Sequence, residues 1–368
     1  MYNNMIPDCT LTTACYNFTD VHDKSRNLEE CINDMKTLLQ IPCYLVIYTD
    51  NKCHEYIKKI RDSYSLNHIT HYVIKEFTDL ANYKYLDIIK KNRESYHPTK
   101  DERTSSHSHL LCCSKFNFVL DTMDINPFHT SKFGWIDAHL GRTNCSKVSE
   151  NYENNMLLNI LHNTTHDKFH IQILNVCDKK YKQKEHKREM YQQYRYVVCG
   201  CLFITGIDIG RKILNRLNEI FIQTTLDGYG HGEEMLYLEI LDEFYDDIKR
   251  SYGDYNNILN NFMQPRRNLY YINALIIKQY NKFSYHKECY DCCKILLAEI
   301  ENYNVHIDYT IYFSILFEYY MCTFYYKGKD EARTLVKHIH DVIAIIPGVK
   351  AEYEKNKVFF DIQFNYSN

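Results

Sequence analysis

The stretch "SRNLEECINDMKTLLQIPCYLVIYTD", residues 25–50, decides the fold. Its first part repeats apolar residues at Leu28, Ile32, Met35 and Leu38 or Leu39 behind a good N-cap, Ser25. That spacing predicts an amphipathic helix over 25–41. Its second part, YLVIYTD (44–50), is a short unbroken apolar run ending on Asp50, the pattern of a parallel strand. Upstream, CTLTTACYNF (9–18) is rich in β-branched and aromatic residues and reads as another strand.

Strand, helix, strand is the unit of an α/β fold with right-handed crossovers. Working outward, residues 53–64 predict a helix, THYVIKEF (70–77) a strand, and 109–126 a helix. FHIQILNV (169–176) and YVVCGCLFITG (196–206) read as strands, 208–226 as an amphipathic helix, and 228–244 as a helix opened by glycines. Residues 92–108 are polar and read as an exposed loop, and the mixed-charge stretch 179–195 reads as a solvated helix or loop.

After residue 265 the pattern is helical throughout. Setting Tyr280 on Tyr320 superposes Cys292 on Ala332 and Ile295 on Leu335, so 270–300 and 309–343 look like two helix pairs of tetratricopeptide-like kind. Two domains are expected: an α/β domain over 1–265 and a small all-helical one over 266–368.

Composition narrows the function classes. A net charge of −3 over 368 residues gives no field that would gather nucleic acid. No apolar run reaches membrane length, and the first residues lack the basic and apolar regions of a signal peptide. The 15 cysteines are therefore expected as thiols in a cytoplasmic protein. Cys289 to Cys292 is the sole CxxC, with no second pair at finger spacing, so small buried thiols are expected rather than zinc ligands.

In open α/β sheets, ligands bind at the carboxyl ends of the strands, where Thr13, Asp50 and Asp137 are expected. NPFHTSKFGWIDAHLGR (126–142) contains the single tryptophan and ends an apolar triplet on Asp137. Trp135 and Phe133 read as core aromatics holding that strand. Alternation puts Asp137 and His139 on one side of an extended segment. In GYGHGEEMLYLEI, glycines allow close approach of a ligand, and Glu233-Glu234 sit where a helix dipole also favours carboxylates.

The 126–142 stretch resembles the signature of the HtrL/YibB (WlaTC/HtrL) family, taken to be glycosyltransferases, whose pattern is close to NPF-x-T-x-x-F-x-W-I-D-A-G. TTACYNF, LVIYTD, Lys115, VVCGCLFITG and GYGHGEEMLYLEI follow the family's order, and the resemblance spans roughly 9–262. It implies a GT-A-like mixed sheet flanked by helices, followed here by the helical tail. It also implies transfer of a sugar from a nucleotide-diphospho-sugar, most often a UDP-sugar, to a hydroxyl acceptor on a glycan or protein.

A divalent cation, Mn²⁺ or Mg²⁺, would neutralise the diphosphate. The resemblance places Asp137 and Gly200 at the nucleotide-sugar, with Thr13, Asp50, Arg61 and Lys115 as further contacts. Asp137, His139 and His231 become candidate metal ligands, and Glu234, then Glu233, the candidate base. His139 stands where the family has glycine, and Cys201 replaces the second glycine of its Gly-Gly-x-Phe strand. The rival reading is a non-catalytic GT-A-like scaffold whose helical tail binds a partner protein or forms a homodimer.

Overall fold

The computed structural model describes residues 6–18, 28–96, 105–138, 154–193, 195–229, 232–253, 258–262 and 270–365. They form two compact units, Met1–Met263 and Gln264–Asn368.

The first unit contains β1 (Cys9–Cys15), β2 (Tyr44–Thr49), β3 (Thr70–Ile74), β4 (Lys132–Ile136), β5 (Phe169–Ile173), β6 (Val198–Gly206) and β7 (Ile248–Tyr252). They make one sheet in the order β3-β2-β1-β4-β6-β5-β7. β6 alone runs against its neighbours β4 and β5; all other pairings are parallel. Its helices are α1 (Leu28–Leu39), α2 (Asn51–Ser63), α3 (Leu86–Tyr96), α4 (Ser106–Ile125), α5 (Asn154–Asn163), α6 (Lys187–Tyr191), α7 (Ile207–Leu226), α8 (Tyr237–Glu243) and α9 (Ile258–Asn261). This is the mixed sheet flanked by helices that the sequence leads one to expect.

β1 lies mid-sheet and is buried along its whole length, as its apolar and threonine-rich run requires. Its residues Cys9, Leu11 and Cys15 share one core with Ile32, Met35 and Leu39 of α1 and Ile57 of α2. On the opposite face, Thr12 Oγ1 donates to Thr122 Oγ1 of α4 at 3.0 Å. There Phe118 of α4 stacks on Trp135 at 6.2 Å and packs on Tyr48 at 4.6 Å. The edge strand β7, IKRSY, was not recognisable as a strand because its charged residues suit an edge rather than a core.

The NPFHT part of the signature is a joint. Asn126 ends α4 in the left-handed conformation at φ 36°. Its side chain accepts from Thr130 N at 3.0 Å and donates to Thr130 O at 3.2 Å. Thr130 in turn bonds Thr10 of β1 at 2.6 Å, and Phe128 stacks on Tyr44 at 4.7 Å. These contacts fix how α4 hands over to β4, and hence where Asp137 emerges.

Two expectations need correction. Residues 92–108 are not one loop: α3 runs to Tyr96 and α4 begins at Ser106. Ser105 Oγ accepts from Ser108 N at 3.0 Å, so part of that serine-rich polarity is a helix cap. Arg61 is not a phosphate-side cation. It is fully buried, and its guanidinium donates to Thr70 Oγ1 at 2.7 Å and to the carbonyls of Leu39 at 3.0 Å, Ile41 at 2.9 Å and Cys43 at 3.3 Å. Those partners lie at the amino ends of β2 and β3, the edge away from the strand tips. The Ser25 cap lies outside the described residues.

The second unit contains α10 (Tyr270–Lys282), α11 (His286–Asn302), α12 (Tyr309–Tyr326), α13 (Lys329–Ile345), α14 (Pro347–Lys355) and α15 (Lys357–Asn365). Tyr280 and Tyr320 are both buried, in α10 and α12, and Cys292 and Ala332 in α11 and α13. The correspondence fails at the third pair: Ile295 is exposed, whereas Leu335 packs on the core. Among the described residues, no helix is long and apolar enough to cross a membrane.

Candidate functional site

β4 and β6 run antiparallel, so the carboxyl tip of β4 lies beside the amino end of β6. Asp137 N donates to Cys201 O at 2.9 Å and continues that pairing one residue past the strand. Asp137 and Gly200 are thereby set on the same sheet edge. Over this edge α4 delivers Lys115, and the 3₁₀ turn between α7 and α8 delivers Glu233.

Lys115 is the centre of the group. Its ammonium donates to Gly200 O at 2.9 Å, pairs with Asp137 Oδ1 at 3.4 Å, and makes a close ion pair with Glu233 Oε1. It also sits 5.2 Å from the centre of the Trp135 ring. The Lys115 and Glu233 side chains are only 1% and 4% exposed, whereas Asp137 keeps 32% of its side chain in solvent. A buried pair of this kind survives because each charge has a partner. Trp135 Nε1 donates to Asp137 Oδ1 at 2.5 Å, so the strand's aromatic aims the carboxylate as well as filling the core.

Gly200 is required by this packing. A Cβ there would overlap Glu233 Oε1 and stand 3.2 Å from Lys115 Nζ. Gly232 does the same for its neighbour: a Cβ there would press on Glu234 Oε2 at 2.5 Å.

The electrostatics separate the two glutamates. Burial opposes the charge on Lys115, yet Asp137 and then Glu233 hold its pKa well above the usual lysine range. Burial, then the charge of Glu233, pushes Glu234 up to about 8 against the pull of Lys115. Glu233 is the buried ion-pair partner of Lys115. Glu234, partly open to solvent, has a proton that is exchangeable near neutrality.

Two participants were invisible in the sequence. Tyr237 is fully buried, its hydroxyl has no hydrogen-bond partner, and burial holds it well above the usual phenol range. It follows Glu233 by one helical turn, and that spacing was the available signal, masked by the apolar run around it. The Trp135 indole N–H is the other, because a tryptophan behind an apolar triplet reads first as packing.

The other expected residues are dispersed. Asp50 caps α2, accepting from Cys53 N at 2.7 Å, and also accepts from Asn17 N at 2.7 Å in the segment leaving β1. Thr13 is buried on β1, on the side of Leu11 and Cys15 by alternation, with its hydroxyl unpartnered. His139 and His231 lie outside the described residues.

Among curated proteins none matches the chain. Among solved structures, the crystal structure of mouse xyloside xylosyltransferase 1 in its apo form is similar at a TM-score of 0.34 and 13% identity. The match covers 67% of this chain and 84% of that one. Residues 8–225, which hold the joint, Lys115, Asp137 and Gly200, match the family described as a bacterial protein of unknown function (HtrL_YibB). The chain belongs to the HtrL/YibB family.

Proposed function

We propose that the first unit is a glycosyltransferase that moves a sugar from a nucleotide-diphospho-sugar, a UDP-sugar first among them, to a hydroxyl acceptor. The observation that carries the reading is the Lys115–Asp137–Glu233–Glu234 group at the carboxyl edge of a mixed α/β sheet. Open α/β sheets bind ligands at that edge.

The donor set bears on the cation. Asp137 keeps about a third of its side chain in solvent, and three carboxylates face one ammonium. A diphosphate arriving there needs added positive charge, and a hard cation needs more oxygens than Asp137 provides. The residues therefore suit Mn²⁺ or Mg²⁺ carried in with the phosphates rather than held in advance. Asp137 would hold it, with His139 and His231 as further proposed ligands. When bound, it supplies charge neutralisation of the diphosphate leaving group.

The chain's own residues do the rest. Trp135 and Lys115 hold Asp137 in one orientation, which is the pre-organisation a leaving group needs. Glu234 takes the proton from the acceptor hydroxyl, and Glu233 keeps Lys115 in place. Gly200 keeps the floor of the site free of a side chain. Thr13 of β1 and Asp50, just past β2, are proposed as nucleotide-side contacts.

A thermal-shift panel of UDP, GDP, CMP and their sugars, each with Mn²⁺ or with EDTA, tests this. A rise in melting temperature with one nucleotide, larger with Mn²⁺, is expected because a ligand that binds only the folded state stabilises it. No shift with any of them, in folded protein, would favour the scaffold reading.

A further inference from the structure

We propose that the second unit holds a thiophilic metal ion, of the zinc class, between Cys289 and Cys293 of α11 and Cys322 of α12. Their three sulfurs all lie within 4.8 Å of one another, and among the described residues no other His, Cys, Asp or Glu group converges in this way. An ion with metal–sulfur bonds of about 2.3 Å sets its sulfurs about 3.8–4.0 Å apart, so small side-chain rotations bring the three to bonding distance and leave a fourth position for a water or another small ligand.

The arrangement follows from helix geometry. Cys289 and Cys293 are four residues apart on one helix and so share a face, while Cys322 comes from the facing helix. No CxxC spacing announces this set, because the partner of the helical pair lies a loop and a helix away. Cys292, the residue that makes the sequence motif, is not part of it.

All three sulfurs are buried, which for ordinary thiols calls only for apolar neighbours or a carbonyl. Two have such a carbonyl: Cys289 Sγ donates to Ile277 O at 3.5 Å and Cys322 Sγ to Tyr319 O at 3.2 Å. Convergence of all three on one point is what packing does not require. One of the three thiols also gains from a helix dipole. Cys289 is the fourth residue of a 17-residue helix, near the dipole's positive end.

Binding would deprotonate the three thiols, releasing three protons to solvent and leaving three thiolate–metal bonds. No electron moves.

The test uses the full tag-free chain, produced separately in zinc- and cobalt-supplemented medium with a phosphine reductant and then desalted. One metal per chain by elemental analysis is expected, with an intense near-ultraviolet thiolate-to-cobalt band in the cobalt form. Cys293→Ser should lose that band while Asp137→Ala and Cys31→Ala retain it, which separates this ion from any cation at the sheet edge. A folded wild-type chain with no thiolate–cobalt band, or one in which Cys322 is recovered in a disulfide with Cys289 or Cys293, would overturn the proposal.

Discussion

Lys115 and Glu233 stand 118 residues apart in sequence and form a close ion pair with both side chains almost wholly removed from water. The pair ties α4 to the turn before α8 and fixes where Asp137 and Glu234 can be. It is therefore both a stability element and the frame of the site.

Removing one partner should show this. Lys115→Met leaves Glu233 buried without its counter-charge and is expected to cost about 3–5 kcal/mol in urea unfolding. Adding Glu233→Gln to that variant should recover a substantial part, since no charge is then stranded. A double variant as unstable as the sum of the singles would contradict the coupling.

Glu234 should leave a pH signature. Its carboxyl is raised to about 8 in the folded chain, against about 4.3 for an unperturbed glutamate. The unfolded chain releases this proton at lower pH, so the residue lowers stability progressively as pH rises from the unfolded value to about 8. Glu234→Gln is expected to raise the melting temperature by roughly 2–5 °C at pH 8 and to leave it unchanged at pH 4. The wild-type kcat/KM should climb with pH through the same region, and the variant should lose about 10²–10⁴-fold in kcat.

Trp135→Phe keeps the ring that stacks on Phe118 and removes the N–H that aims Asp137. A loss of about 1–3 kcal/mol in nucleotide affinity is expected, read by calorimetry, with a smaller change in stability. Equal affinity for wild type and variant would mean the carboxylate is oriented without the indole.

Arg61→Met is the contrasting case. It strands several buried carbonyls and should cost at least about 3 kcal/mol of stability while leaving nucleotide affinity at a temperature below unfolding unchanged.

Much of this architecture could be read in advance because it rests on local pattern. The α1 periodicity at Ile32, Met35 and Leu39 and the unbroken run of β2 each identify an element without reference to the rest of the chain. The signature around Trp135 located the tip of β4. What escaped was what depends on distant partners. Arg61 looked like any exposed helical cation, and only the carbonyls of Leu39, Ile41 and Cys43 converging on it reveal its place. The three thiols of α11 and α12 have no sequence spacing of their own, and β7 carries the polarity of an edge. Tyr237 reads as core because it is core; its unpartnered hydroxyl is visible only in three dimensions.

The most direct test of the central claim is nucleotide release from a panel of UDP-, GDP- and CMP-sugars, with water or a simple hydroxyl acceptor, by the wild type and Asp137→Ala. The account expects saturable cleavage of one donor class by the wild type with Mn²⁺ present. It expects a fall of at least about 10²-fold in the variant, the usual scale for losing transition-state charge stabilisation. Folded wild-type protein that neither binds nor cleaves any donor, or a variant that cleaves as fast as the wild type, would contradict it.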